Sequence, residues 1–101
     1  MPTIYKKKYH KKENTESEKV RRSVYSSARW LRLRSIKLVN EPLCEKCLEK
    51  GIVEPAIDVH HVTSFVNVED ESQRKFLAYD YENLLSLCKK CHQLIHNKSH
   101  T

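Results

Sequence analysis

Asn83 to His96 reads NLLSLCKKCHQLIH, a stretch that holds one asparagine, two cysteines and two histidines. Cys88 and Cys91 form a C-x2-C pair, which is half of a four-sulfur metal site. The other half stands at Cys44 and Cys47. His92 and His96 are one helical turn apart, so on a helix both imidazoles share a face and can grip one ion while leaving its coordination incomplete. The missing ligand falls to His60-His61. The stretch therefore predicts two metal sites, one structural and one chemical.

The chain has 101 residues, enough for one domain with a thin core, and only 39% of them are hydrophobic against 32% charged. Bound zinc would add the staple that such a core needs. The formal net charge is +6, with the basic residues concentrated before residue 40, which points to an anionic partner and first of all to a nucleic acid. No apolar run approaches the roughly 20 residues needed to span a bilayer, and no signal-peptide core follows the basic start. A membrane partner is not expected, and the expected location is the cytoplasm. Two C-x2-C pairs without an export signal favour zinc over disulfides.

Residues 1–14, MPTIYKKKYHKKEN, are Lys-rich and lack an apolar period, so they read as a basic flexible arm; His10 within it has no ligand neighbour. Thr15 and Glu18 fit a capping box that opens a helix toward Tyr25. From Ser27 to Val39, a second helix carries Trp30, Leu31, Leu33, Leu38 and Val39 as an apolar stripe. Its Arg29, Arg32, Arg34 and Lys37 are DNA-contact candidates, as are Lys89 and Lys90 further on. Pro42 ends that helix, and Cys44–Cys47 forms a tight turn. Gly51, the chain's only glycine, suits a turn that needs positive φ.

Alternation from Ala56 to Val62 predicts a strand bearing His60 and His61, and a short helix fits within Glu69–Ala78, where acids precede bases. Leu84–Leu87 predicts the partner strand, and a helix follows from about Lys90 to Asn97. The order is strand, connection, strand, helix behind a helical N-terminal cover, an α+β arrangement. The domain is expected over 15–97, with 98–101, including His100, as a frayed tail. Asp58 reads first as a solvent-exposed strand carboxylate, with a metal ligand or a partner behind one as the alternatives.

Four thiolates bind zinc tetrahedrally at Zn–S near ~2.3 Å, and C-x2-C lets two sulfurs reach one ion from a tight turn. Cys44, Cys47, Cys88 and Cys91 supply the set. The long segment between the pairs weakens this little, because closure entropy grows by only about 0.6 kcal/mol per doubling of loop length. A closed four-sulfur site is structural and has no open position for catalysis.

With His60-His61, Asn83 and His92-x3-His96 in place, residues 26–97 resemble the HNH endonucleases, the ββα-metal or His-Me finger nucleases, in the subgroup with two zinc-binding C-x2-C pairs. The resemblance implies a small ββα-metal module with a structural Zn²⁺. It assigns His60, where many relatives have aspartate, to a catalytic divalent ion together with His92 and His96. It makes His61 the general base and Asn83 the residue that orders the loop and helps orient that base. Val62-Thr63-Ser64 departs from the family, which often has a proline there. The ion could be Mg²⁺, Mn²⁺, Ni²⁺ or Zn²⁺, since imidazole suits several. The implied activity is metal-dependent hydrolysis of DNA phosphodiester bonds, and phage relatives that act beside the packaging terminase make terminase proteins a second expected partner. The contrasting reading is a zinc-stapled DNA-binding or packaging module that has lost catalysis.

Overall fold

Side-chain caps decide where the helices begin. The computed structural model describes residues 15–99, so the expected arm at 1–14 and the end of the tail at 100–101 lie outside the described residues. Helix α1, Glu16–Tyr25, starts at Thr15, whose hydroxyl accepts the Glu18 N–H at 3.2 Å, while the Glu18 carboxylate takes the Arg21 guanidinium at 3.0 Å. Helix α2, Ala28–Asn40, starts at Ser27. That hydroxyl donates to Val24 O at 2.6 Å and accepts the Trp30 N–H at 3.1 Å. With its one proton spent, it also accepts the Tyr79 hydroxyl, 3.1 Å away. One serine thus joins α1, α2 and the later helix that carries Tyr79.

The inner face of α2 differs from the expected stripe. Trp30 and Lys37 are buried and Leu33 packs on the core, whereas Leu31 and Val39 are 54% and 77% exposed. The buried positions follow the i, i+3, i+7 spacing of one helical face. Lys37 is tolerated there because its ammonium lies 3.0 Å from the Glu45 carboxylate and 4.9 Å from the centre of the Tyr81 ring.

The first cysteine pair sits on a short helix, α3, Glu45–Glu49, where a tight turn was expected. Gly51 then takes φ 77°, a left-handed conformation that costs glycine little. The chain runs back beside itself, with the Cys44 N–H donating to Glu54 O at 2.7 Å and the Ala56 N–H to Pro42 O at 2.8 Å. Strand β1 covers Asp58–His61, shorter than the expected 56–62. Strand β2 covers Leu84–Leu87, as expected, and pairs antiparallel with β1 in the register Asp58 to Leu87 through His61 to Leu84. Beyond β1 on the other side of β2, Glu45 Oε2 accepts the Ser86 N–H at 2.8 Å. The knuckle therefore covers part of an edge that two strands alone would leave open.

Between the strands, helix α4, Glu71–Tyr79, is capped by the Asp70 carboxylate on the Gln73 N–H at 3.0 Å, and a 3₁₀ turn at Tyr81–Asn83 leads into β2. The last helix, α5, spans Lys89–Ser99 and so includes Lys98 and Ser99, which sequence reading placed in a frayed tail. Val24, Trp30, Phe65, Ala78 and Leu84 form one core under the helical cover; the four cysteines and Leu87 form a second. Burial of a side chain such as Phe65 contributes ~1.5–3 kcal/mol, so two clusters this small are the kind of core to which a metal held by the four cysteines would add stability. Among the described residues no helix is long and apolar enough to cross a membrane.

Candidate active site

Cys44 caps α3, and its sulfur accepts the Cys47 N–H at 3.4 Å. The second pair repeats this, with the Cys91 N–H on the Cys88 sulfur at 3.4 Å. All four sulfurs lie within 4.8 Å of one another, with Cys47 Sγ 3.9 Å from Cys88 Sγ and 3.7 Å from Cys91 Sγ. These separations are far too long for S–S bonds. They match the edge of a zinc tetrahedron, ~3.8 Å for Zn–S near 2.3 Å. Burial pushes the Cys47 thiol up to about 12 and the Cys91 thiol upward. Cys44, equally subject to burial, is brought down to about 7 by hydrogen bonds from the Cys88 and Cys47 backbones and the neighbouring thiols. Thiolates so close repel one another, and a cation is the group that lets all four ionise.

The strand alternation of β1 separates the two adjacent histidines. His61 points into the main core and is 7% exposed. Its ring stacks on Trp30 at 4.8 Å and 26°, and Phe65 meets it edge-on at 4.8 Å. Nε2 lies 2.9 Å from Ala78 O at the end of α4. A carbonyl can only accept, so Nε2 carries the proton and Nδ1 keeps the lone pair. Burial lowers the His61 pKa, and the Ala78 bond opposes this in part.

Asn83 holds this arrangement from beneath. Its Oδ1 accepts the Thr63 N–H at 2.9 Å, and its Nδ2 donates to Thr63 O at 3.0 Å and to Leu77 O at 2.9 Å. The loop after β1 and the last turn of α4 are thereby tied together beside His61. Val62-Thr63-Ser64 follows a defined path without a proline, and the chain then buries Phe65 against the His61 ring.

On the opposite face, His60 meets α5. Its ring centroid is 5.3 Å from that of His92, with the rings edge to face. Burial lowers the His60 pKa first, followed by the charges of His92, His61 and His96. Among the described residues the cysteines are the one set of three or more ligand side chains within 4.8 Å of one another; His60 meets His92 ring to ring, and His92 and His96 line one depression. His92 Nδ1 lies 3.0 Å from Asp58 Oδ2, so Asp58 is a hydrogen-bonded partner of His92, the lesser of the alternatives its sequence offered, and not a free strand carboxylate. Asp58, Lys89, His92, Gln93 and His96 line a depression of about 250 Å³. Their donor set, nitrogen with carboxylate alongside, fits a divalent ion.

A family model described as HNH endonuclease matches residues 44–98, from the first cysteine to just past His96. The chain belongs to the HNH endonuclease family. The crystal structure of deep-sea thermophilic bacteriophage GVE2 HNH endonuclease with manganese ion resembles it at a TM-score of 0.70 and 30% identity, over 93% of this chain and 94% of that one. No curated protein matches it. An HNH endonuclease is a phosphodiester hydrolase that acts on DNA, and the structure sorts this one's expected DNA contacts. Lys37 is removed from them, because it is buried and ion-paired to Glu45. Arg34 is partly committed, donating to Ile57 O at 2.9 Å. Arg29 lies over the Tyr79 ring at 4.3 Å and, like Arg32, Lys89 and Lys90, is exposed. Sequence reading missed the Ala78 carbonyl, since a main-chain acceptor has no signature in residue identity.

Proposed function

We propose that this HNH endonuclease cleaves DNA with His61 as general base, a divalent ion held by His60, His92 and His96, and a structural zinc held by Cys44, Cys47, Cys88 and Cys91. The observation that carries the base assignment is the 2.9 Å bond from His61 Nε2 to Ala78 O. It leaves Nδ1 as the basic atom and holds the ring against rotation, which is what proton abstraction from water requires. The depressed pKa keeps His61 neutral at neutral pH, so the base is ready without prior deprotonation. Asn83 is a positioning residue that holds the loop and the α4 end around the ring. His60, His92 and His96 would hold the divalent ion, which would supply positive charge to stabilise the phosphoryl transition state and the departing oxygen. The exposed Arg29, Arg32, Lys89 and Lys90 attract the backbone without reading bases.

The family resemblance assigns 5′-phosphate and 3′-hydroxyl products. The manganese in the GVE2 structure makes Mn²⁺ the first ion to try, and that relative's bacteriophage origin supports a packaging terminase as a protein partner. The test is cleavage of supercoiled plasmid with Mn²⁺ by wild type and His61→Ala. Loss of a general base lowers the rate by about 10²–10⁴-fold. Equal cleavage by a folded, zinc-loaded variant would overturn the assignment.

A further inference from the structure

We infer that Asp58 is a positioning residue of the divalent-ion site, holding His92 so that its Nε2 faces the ion. The inference rests on the proposed role of His92 as a ligand. Asp58 opens β1, and the two-residue period of the strand puts it on the same side as His60, the side on which α5 lies. Its Oδ2 reaches His92 Nδ1 at 3.0 Å. An ionised carboxylate only accepts, so Nδ1 carries the hydrogen and the free lone pair is on Nε2. The same bond fixes the ring plane. Asp58 itself is held by its place opposite Leu87, next to Cys88 of the zinc cluster, so the orienting oxygen stands on the most tightly stapled part of the fold.

Magnitudes favour this role over a stabilising one. The two side chains are 36% and 32% exposed, and a pair that wet contributes ~0–1 kcal/mol to folding. A carboxylate behind a metal-bound histidine, by contrast, changes metal affinity by about 10–100-fold. The neighbours agree: Asp58 and His92 line the same depression as His96.

The experiment is Mn²⁺ titration calorimetry on zinc-loaded protein for wild type, Asp58→Ala, Asp58→Asn, His92→Ala and the Asp58→Ala/His92→Ala double variant, with zinc content and unfolding midpoint as controls. Asp58→Ala is expected to weaken Mn²⁺ binding about 10–100-fold with zinc and midpoint unchanged. Asp58→Asn keeps an oxygen acceptor and should recover part of that loss. In the His92→Ala background, Asp58→Ala should have no further effect. A neutral Asp58→Ala beside a damaging His92→Ala overturns this inference alone, whereas a neutral His92→Ala overturns the ligand reading and the inference with it. An Asp58→Ala loss that persists without His92 makes Asp58 a ligand itself. An Asp58→Asn variant as weak as Asp58→Ala makes charge, not orientation, the operative property. Either result rejects the positioning role.

Discussion

Asn83→Ala removes three hydrogen bonds at once, two to Thr63 and one to Leu77. At a net ~0.5–1.5 kcal/mol each, simple addition gives about 1.5–4.5 kcal/mol. Thr63 is exposed, so water can replace part of what it loses, and about 2–3 kcal/mol is the expected cost. Against a domain stability of roughly 5–15 kcal/mol this is a large share. Thermal unfolding followed by circular dichroism at fixed zinc should show a midpoint lower by on the order of 10–20 °C, from ~4–8 °C per kcal/mol for a domain of this size. Asn83→Asp should be at least as damaging, because an oxygen would then face the Thr63 and Leu77 carbonyls where an NH₂ now donates. Leu77 precedes Ala78, the residue that orients His61, so plasmid cleavage should fall even well below the new midpoint. A midpoint within about 4 °C of wild type, under ~1 kcal/mol, would refute the idea that Asn83 holds the loop and the base together.

Zinc removal by a strong chelator, or Cys47→Ser, should unfold the domain and abolish cleavage although no cysteine touches the histidine face; metal analysis and far-UV circular dichroism read this, and an unchanged spectrum after complete zinc loss contradicts it. Because burial puts the folded His61 pKa below its unfolded value near 6.5, the unfolded chain takes up the proton first as pH falls. The stability contributed by neutral His61 is therefore complete above about pH 6.5 and declines below it. By the same shift, the acid limb of kcat/KM at saturating Mn²⁺ should lie below pH 6.5, and a limb above neutrality would exclude His61 as the base seen in that profile. Lys37→Ala should destabilise by about 1–3 kcal/mol, less than the ~3–5 of a fully buried broken pair because Glu45 stays partly solvated, and leave the salt dependence of DNA binding unchanged. Arg32→Ala should do the reverse, with stability within ~0.5 kcal/mol and the salt slope reduced by about 1; denaturation and binding at several salt concentrations separate the two.

Features carried by local chemistry were legible from sequence. The Thr15 cap, positive φ at Gly51, the limits of β2 and the division of Cys91 from His92 all follow from side-chain type and periodicity. So did the opposite faces of His60 and His61, because a strand leaves no other choice. What escaped depended on partners distant in the chain. The lysine at position 37 reads as a solvated charge until Glu45 is placed beside it, and the inner face of α2 then runs through Trp30, Leu33 and Lys37, with Leu31 and Val39 outside it. Asp58 reads as exposed until α5 is laid across β1. The acceptor for His61 is a peptide carbonyl that any residue at position 78 could supply.

The junction at Cys91 and His92 also constrains how this chain can vary. On a helix each added residue turns everything after it by about 100° and advances it ~1.5 Å, so an insertion between the two would swing His92 and His96 away from His60 while leaving the sulfur cluster intact. The sulfur cluster thus sets the rotational phase from which the two histidines of α5 are counted, and neither group can drift along the chain without the other.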